Sequence, residues 1–386
     1  MACNTWRIGE NRKGIGHCGY RVGVLVNFDF YYTVRPFIPR WIQIELRRRI
    51  TAWQYRRNRQ CWPVSEMAGA PPPFWPGWPQ GKRFAVVLTH DIERANGVKH
   101  CEALASLEEE RGFRSAVAFV PLRYETPEPL RRSLAGRGFE IMVHDLYHDG
   151  KLFRNWHTFT DRRRSIDEFL HRWETRGFCT GAMQHNLPWI SHLDIDYSVS
   201  TYDVDPFEPH ACGLGRIFPC WVHAPDSKTR GFIEMPYTLP QDFTAFVLLR
   251  QESNAIWRRK LDWIASQGGM ALIKTHPDYM VFPGERKRID GYPVELYTDF
   301  LDYLARRYGD EAWFAQPSEV ARFWRGLCPP KTGGGAAIPF RETFCRTCRE
   351  AHAAGWLNHY PTRGALARPA EFAEIAEQRK ISGHIC

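Results

Sequence analysis

The segment Leu88-Thr89-His90-Asp91-Ile92-Glu93 carries ionisable side chains directly after the apolar run from Phe84 to Leu88. A short apolar run that ends at polar residues is typical of a buried strand. In barrels of parallel strands, catalytic groups come from the carboxyl ends of the strands and the loops that follow them. The segment therefore predicts an α/β protein with a functional site at the end of this strand.

The same arrangement occurs at two further places in the chain. His144-Asp145-Leu146-Tyr147-His148-Asp149 follows the apolar run from Phe139 to Val143, and Thr275-His276-Pro277-Asp278 follows the run from Met270 to Ile273. Because the carboxyl ends of parallel strands meet at one mouth of a barrel, we expect the three clusters to lie close together.

Strand-like and helix-like segments alternate from Phe84 to about Gly326, and they make roughly seven or eight βα units, enough to close a barrel. Stretches rich in proline and glycine, Pro71 to Pro79 and Cys328 to Gly335, mark its two ends. We predict an N-terminal extension over residues 1–80, a barrel over residues 81–327 and a loosely ordered C-terminal tail over residues 328–386.

The composition is that of a soluble globular protein, with 44% hydrophobic residues in a chain of 386. The 11 cysteines are irregularly spaced and odd in number, and no cleavable signal precedes them. We therefore expect reduced thiols and a cytoplasmic location. No apolar stretch is long enough to predict a transmembrane segment.

The net charge of +9 comes mostly from residues 35–59, where eight arginines accompany one acid, Glu45, and leave about +2 for the rest of the chain. An apolar stripe recurs there at helical spacing, formed by Ile42, Leu46, Ile50 and Trp53.

Two interpretations of this basic helix stay open. It either lies on an anionic membrane surface or an acidic partner, or packs on the barrel with its arginines solvated. The first would place the protein peripherally at the inner face of the membrane. Nucleic-acid binding is not expected, because no recognised motif accompanies the charge.

His144 and His148 are spaced i, i+4, and neutral imidazoles beside a carboxylate are usual ligands of a catalytic divalent ion. Together with the Asp-x-Glu at Asp91 and with His276 after another strand, they predict a metal centre. The alternative is that Asp91 and His144 only cap strand ends through hydrogen bonds.

A hydrolytic metal centre also needs a base for the water and an acid for the leaving group, and Asp91 and His276 fit these roles. A histidine acid is kept protonated by a neighbouring carboxylate. The candidates for that carboxylate are Asp203, Asp205 and Asp278.

Several motifs in one order resemble the polysaccharide deacetylases of the NodB-homology, carbohydrate esterase 4-like type, in particular the branch associated with exopolysaccharide and capsule synthesis. The resemblance covers roughly residues 30 to 325. Besides the three segments above, it rests on Gln184-His185-Asn186-Leu187, Ser200-Thr201-Tyr202-Asp203-Val204-Asp205-Pro206-Phe207 and Pro236-Tyr237-Thr238-Leu239-Pro240-Gln241-Asp242.

The resemblance implies a distorted (β/α)7 barrel and the metal-dependent removal of acetyl groups from amino sugars, with zinc as the expected ion. By position it carries the base to Asp91, two metal ligands to His144 and His148, and the acid to His276. We assign the third ligand to Glu93. Roles in tuning the acid or binding substrate fall to Asp203, Asp205, His185, Asn186 and Tyr237.

The chain departs from the family pattern at two positions. The family commonly has adjacent aspartates, base and then ligand, whereas Ile92 follows Asp91 here. Asp91 itself is therefore an alternative metal ligand, with another group as base. A cysteine, Cys179, stands where the family has an arginine that orients the base, and it cannot supply that charge. Arg94 is a candidate substitute.

Two functions from different classes follow. The first is a metal-dependent deacetylase acting on an acetylated glycan of a surface polysaccharide or its lipid-linked precursor. The second is a sugar-binding or assembly protein that has lost turnover, as Ile92 and Cys179 suggest.

Two further features are weaker signals. Cys345-Arg346-Thr347-Cys348 with His352 and His359 could form a small zinc site, but a single Cys-x-x-Cys is weak evidence. Aromatic side chains of the predicted loops could stack on sugar rings or be structural, namely Trp189, Tyr202, Phe207, Trp221 and Tyr237.

Overall fold

The computed structural model describes residues 38–73, 75–208, 213–224 and 230–327. Among these residues the α-helices are α1 (Arg40–Asn58), α2 (Ala95–Glu109), α3 (Glu128–Gly136), α4 (Trp156–Arg172), α5 (Leu187–Ile190), α6 (Ala255–Gln267), α7 (Glu295–Tyr308) and α8 (Pro317–Leu327). The strands are β1 (Phe84–Ile92), β2 (Ala116–Phe119), β3 (Glu140–His144), β4 (Gly177–Cys179), β5 (Tyr197–Ser198), β6 (Cys220–His223), β7 (Gly231–Glu234), β8 (Met270–Thr275), β9 (Met280–Val281), β10 (Tyr292–Pro293) and β11 (Ala312–Phe314).

Nine strands form one curled sheet in the order β11-β1-β2-β3-β4-β5-β7-β6, and β8 also pairs with β1. All of its pairs are parallel except that of β6 with β7. Helices connect most of the parallel strands, as short crossovers between parallel strands require. The predicted α/β barrel of the (β/α)7 type is therefore confirmed.

Strand β1 is the centre of the sheet. Its residues from Phe84 to Val86 pair with β11, those from Ala85 to His90 with β8, and those from Thr89 to Ile92 with β2. It is buried over its whole length, which explains its almost continuous apolar sequence. The pairing with β2 extends the strand beyond Leu88, so Asp91 lies within the strand and not after it.

The barrel is distorted between β7 and β8. Thr238, just after β7, connects the two regions: its backbone N–H donates to Leu272 O at 3.0 Å and its hydroxyl accepts from Leu272 N at 2.9 Å. The same hydroxyl donates to Met270 O at 2.9 Å. A side chain thus replaces part of a strand ladder at this point.

Helix α1 packs against the barrel, and Ile44 and Trp62 share one apolar core with β1 and β8. The buried side of α1 carries Ile44, Thr51, Gln54 and Asn58. The apolar stripe found in the sequence points the other way and is exposed. Helix α1 therefore packs on the barrel, as one of the two interpretations predicted, but through its opposite side and not through the stripe.

One expectation about the cysteines is also wrong. Cys61 is disulfide-bonded, whereas Cys101 and Cys179 are free thiols. Irregular spacing along the sequence carries no information about which thiols meet in space.

The Cys345–Cys348 motif and the C-terminal tail lie outside the described residues. No helix among the described residues has the length and apolarity needed to span a membrane.

Candidate metal centre and catalytic site

The carboxyl ends of β1 and β3 bring Asp91 and His144 together. Asp91 Oδ2 lies 3.8 Å from His144 Nε2, and both side chains are buried. The ligand atoms of Asp91, His144 and Cys179 all lie within 4.8 Å of one another, close enough to hold one metal ion. The sequence-based prediction that these strand ends meet is confirmed.

A second carboxylate–imidazole pair lies beside the first. His148 Nε2 is 3.4 Å from Glu93 Oε1, and the rings of His144 and His148 are 4.8 Å apart. The other oxygen of Glu93 accepts from the Tyr279 hydroxyl at 2.6 Å. Burial lowers the pKa of His148, but the Glu93 charge outweighs it, so the pKa is raised.

The backbone at His148 adopts an unusual conformation, and a glycine packs closely against its side chain. Its φ of 52° lies in the left-handed region, which non-glycine residues seldom adopt. Gly181 approaches so closely that a Cβ there would lie 3.1 Å from His148 Cδ2 and 2.7 Å from Asp145 Oδ2. Backbone strain and close approach of this kind concentrate at functional sites.

The unpartnered Nε2 atom of His144 shows that the site fits a metal. Its Nδ1 is 3.0 Å from Cys179 Sγ, while Nε2 is buried without a hydrogen-bond partner. Burial lowers the pKa of His144 to about 3, so the ring is neutral and offers a lone pair. Burial also raises the pKa of the Cys179 thiol, so Cys179 is a poor thiolate ligand. Its contact with Nδ1 instead orients the His144 ring.

The base candidate is held by a residue that sequence reasoning missed. Lys274 Nζ on β8 donates to Asp91 Oδ2 at 2.8 Å and to Val199 O at 3.1 Å, and its side chain is only 1% exposed. Burial opposes ionisation of Asp91, but the Lys274 charge, the next largest effect, brings the pKa of Asp91 to about 2. A lysine inside an otherwise apolar, buried strand was the signal available in the sequence.

Arg94 does not substitute for the missing arginine. Its guanidinium lies 3.5 Å from Asp290 Oδ2 and over the ring of Tyr279, away from Asp91. Cys179 does lie beside Asp91, with Sγ 3.6 Å from Oδ1. The charge that Cys179 cannot supply comes instead from Lys274, on the neighbouring strand.

His276, the acid candidate, is held by Asp242. Its Nδ1 is 2.7 Å from Asp242 Oδ1, and its backbone N–H donates to Oδ2 at 2.8 Å. The Tyr292 hydroxyl also donates to Oδ2, at 2.9 Å. Burial lowers the pKa of His276, but Asp242 overcomes this effect and raises it to about 9.

The carboxylates expected to tune His276 form their hydrogen bonds and ion pairs with other groups. Asp203 pairs with the buried Lys260 at 2.5 Å. Asp278 accepts from the backbone N–H groups of Glu93 at 2.8 Å and of Gly97 at 3.2 Å. Asp242, within a motif already singled out, takes the predicted role instead.

The remaining candidates form hydrogen bonds within the protein. The Tyr237 hydroxyl lies 3.0 Å from Asp205 Oδ2 and 2.7 Å from Glu208 Oε1. Asn186 caps α5 by accepting from Trp189 N at 3.2 Å, and His185 Nδ1 is 3.1 Å from Met183 O. These contacts give the side chains structural roles, and their contact with substrate stays a prediction.

Comparison with solved structures supports the fold. The chain is similar to an assigned polysaccharide deacetylase from Mycobacterium smegmatis, at 19% identity and TM-score 0.50 over 68% of this chain and 96% of that one. It is also similar to Puue allantoinase, at 15% identity and TM-score 0.52 over 70% and 99%. A polysaccharide deacetylase assigned in Pseudomonas aeruginosa PAO1 gives 16% identity and TM-score 0.50 over 67% and 96%.

The resemblance to polysaccharide deacetylases is thus confirmed as a likeness of fold. At the level of sequence, no family model and no curated protein matches the chain. The mouth of the barrel thus carries two carboxylate–imidazole pairs and a histidine that is hydrogen-bonded to a carboxylate.

The ion pair of Lys274 and Asp91 predicts a large stability effect. Lys274→Met should lower the free energy of unfolding by about 3 kcal/mol or more, because it leaves a buried carboxylate without its counter-charge. The double variant with Asp91→Asn should lose less than the sum of the two single losses. Urea denaturation measures all three, and the exposed pair of Arg132 and Glu128 is the control. Additive losses would contradict the coupling.

The contact of Asp242 with His276 predicts a shift in titration. Asp242→Asn should lower the pKa of His276 from about 9, so that a large fraction of the molecules carries a neutral His276 ring by about pH 8. Histidine NMR, with the signal assigned through His276→Gln, measures this change. Asp262→Asn removes a carboxylate that is bonded to Tyr303 and Tyr308 and should leave His276 unchanged. An unshifted pKa in Asp242→Asn would contradict the assignment.

Proposed function

We propose that this protein is a metal-dependent hydrolase that removes acetyl groups from an acetylated sugar, with an N-acetyl group as the preferred target. The observation that supports this most directly is the combination, at one barrel mouth, of a neutral imidazole on His144 whose Nε2 has no hydrogen-bond partner and a protonated imidazole on His276. The neutral imidazole of His144 suits a metal ligand, and the protonated imidazole of His276 suits a general acid.

In this proposal His144, His148 and Glu93 hold a divalent ion, with zinc expected. Asp91, whose Oδ2 lies 3.8 Å from His144 Nε2, is the alternative third ligand. When bound, the ion would polarise the acetyl carbonyl and lower the pKa of a water molecule. Asp91, kept ionised by Lys274, is the base that takes a proton from the attacking water. His276, kept charged by Asp242, donates a proton to the departing nitrogen or oxygen.

The substrate we propose is an acetylated glycan of a surface polysaccharide or its lipid-linked precursor, which would give the protein a role in exopolysaccharide biosynthesis at the periphery of a membrane. Two structural neighbours that are assigned as polysaccharide deacetylases support the substrate class. A sugar-binding protein without turnover is the second candidate. The replacement of the orienting arginine by Cys179 favours it, and the charge of Lys274 beside Asp91 weighs against it.

The proposed ligands predict the behaviour of metal-site variants. His144→Ala and His148→Ala should each abolish acetate release and weaken metal binding about tenfold or more, because a ligand is lost. Glu93→Gln should lose more metal affinity than Asp91→Asn, which separates ligand from base. Metal titration and acetate release measure the two effects. Full metal content in either histidine variant, or a reversed order for the two carboxylates, would show that the assignment is wrong.

The proposed acid predicts a dependence on the leaving group. His276→Ala should keep its metal and lose turnover about 10²- to 10⁴-fold, the usual contribution of a positioned acid or base. Activated aryl acetates should suffer a smaller loss, because their leaving groups need less protonation. Rates on acetylated sugars and on aryl acetates provide the comparison. An equal loss on both would place the acid role elsewhere.

A further inference from the structure

Helix α1 turns its apolar side away from the protein. Trp41 is 60% exposed, Leu46 55% and Trp53 43%, and Ile42 and Ile50 are exposed beside them. We call these five residues the α1 outer face. Large apolar side chains grouped in this way on a surface mark an interaction site far more often than isolated ones do.

The orientation of α1 is fixed by specific contacts on its inner side. Gln54 Nε2 donates to Pro206 O at 3.1 Å. Arg48 donates to Val247 O at 3.0 Å and to Ile289 O at 2.8 Å. Polar groups thus hold the helix to the barrel, and rotating it to bury the outer face would break these bonds.

The α1 outer face is surrounded by positive charge. Arg49 is 79% exposed in its side chain, and the guanidinium of Arg57 lies 4.2 Å from the ring centre of Trp53. Glu45 is the single acid of α1, and it lies 3.5 Å from Arg49. Further exposed cations at the end of the helix are Arg56 and Arg59.

The inner side of α1 contacts residues that neighbour the candidate site. Arg47, on α1, lies over the ring of Phe243, the residue after Asp242, at 4.8 Å. Arg40 pairs with Asp290 at 3.2 Å, and Asp290 also lies 3.5 Å from Arg94, next to Glu93 in the chain. A surface that engages the α1 outer face would therefore be separated from these residues by the helix itself.

We propose that the α1 outer face and its arginines bind the surface of an anionic membrane. Tryptophan and aliphatic side chains flanked by arginine are the composition of helices that lie in the headgroup region. A second copy of this chain would bring the same positive charge against itself, so charge complementarity favours an anionic partner. The inference deepens the proposed function, on which it rests, by placing the substrate at a membrane.

The test measures binding of the full chain to vesicles made of phosphatidylcholine with phosphatidylglycerol, by co-sedimentation. The chain should bind these vesicles and not pure phosphatidylcholine, and added salt should release it. Combined replacement of Trp41, Leu46 and Trp53 by serine should weaken binding at least tenfold. Combined Arg49→Gln, Arg56→Gln and Arg57→Gln should weaken it about fivefold for each arginine removed.

Matched controls use exposed residues away from α1. Met67→Ser replaces an exposed apolar side chain, and Arg164→Gln with Arg322→Gln removes exposed charge; both should bind vesicles as the unaltered chain does. Acetate release from a soluble acetylated oligosaccharide should survive in every α1 variant, so the failure of this inference is distinguishable from failure of the proposed function.

Three results would overturn the inference. The first is an unaltered chain that does not bind anionic vesicles. The second is a serine variant that binds them undiminished. The third is a dimer of the unaltered chain that is lost in the serine variant, as measured by sedimentation velocity. That result would assign the α1 outer face to a second copy of the chain.

Discussion

The buried pair of Lys274 and Asp91 is the contact on which the arrangement of the site depends. It joins the two strands at the centre of the sheet, β1 and β8, at the level where both carry functional groups. Neither charge could be buried alone without a large cost, so each strand requires the other. Glu93 lies two residues after Asp91, and His276 lies two residues after Lys274. The pairing of Lys274 with Asp91 therefore also fixes the positions of Glu93 and His276 at the ends of the two strands.

The site separates two imidazoles by their surroundings. His144 is buried with a thiol at Nδ1, and burial keeps it neutral. His276 is equally buried but faces Asp242, which keeps it charged. Groups of one kind whose pKa values are driven apart in this way are typical of acid–base machinery. Asp242 makes the largest contribution that raises the pKa of His276, and Glu93 and Asp91 add to it.

Much of the fold and part of the site could be predicted from the sequence. Short apolar runs that end in ionisable residues identified β1, β3 and β8, and hence His144 and His276. Lys274 and Asp242 were missed because their roles depend on contacts between strands distant in sequence. Helix α1 was predicted, but the direction of its apolar stripe stayed open, since helical periodicity alone does not reveal which side of a helix faces the core.

The most direct test of the central claim is acetate release measured together with metal content on one preparation of the full chain. The panel of substrates should include N-acetylated and O-acetylated sugars. The account predicts about one divalent ion per chain, acetate release from at least one acetylated sugar, loss of both on chelation, and recovery of both when the ion is restored. A chain that carries the ion and binds the glycan but releases no acetate, or one whose turnover survives complete removal of the metal, would contradict it.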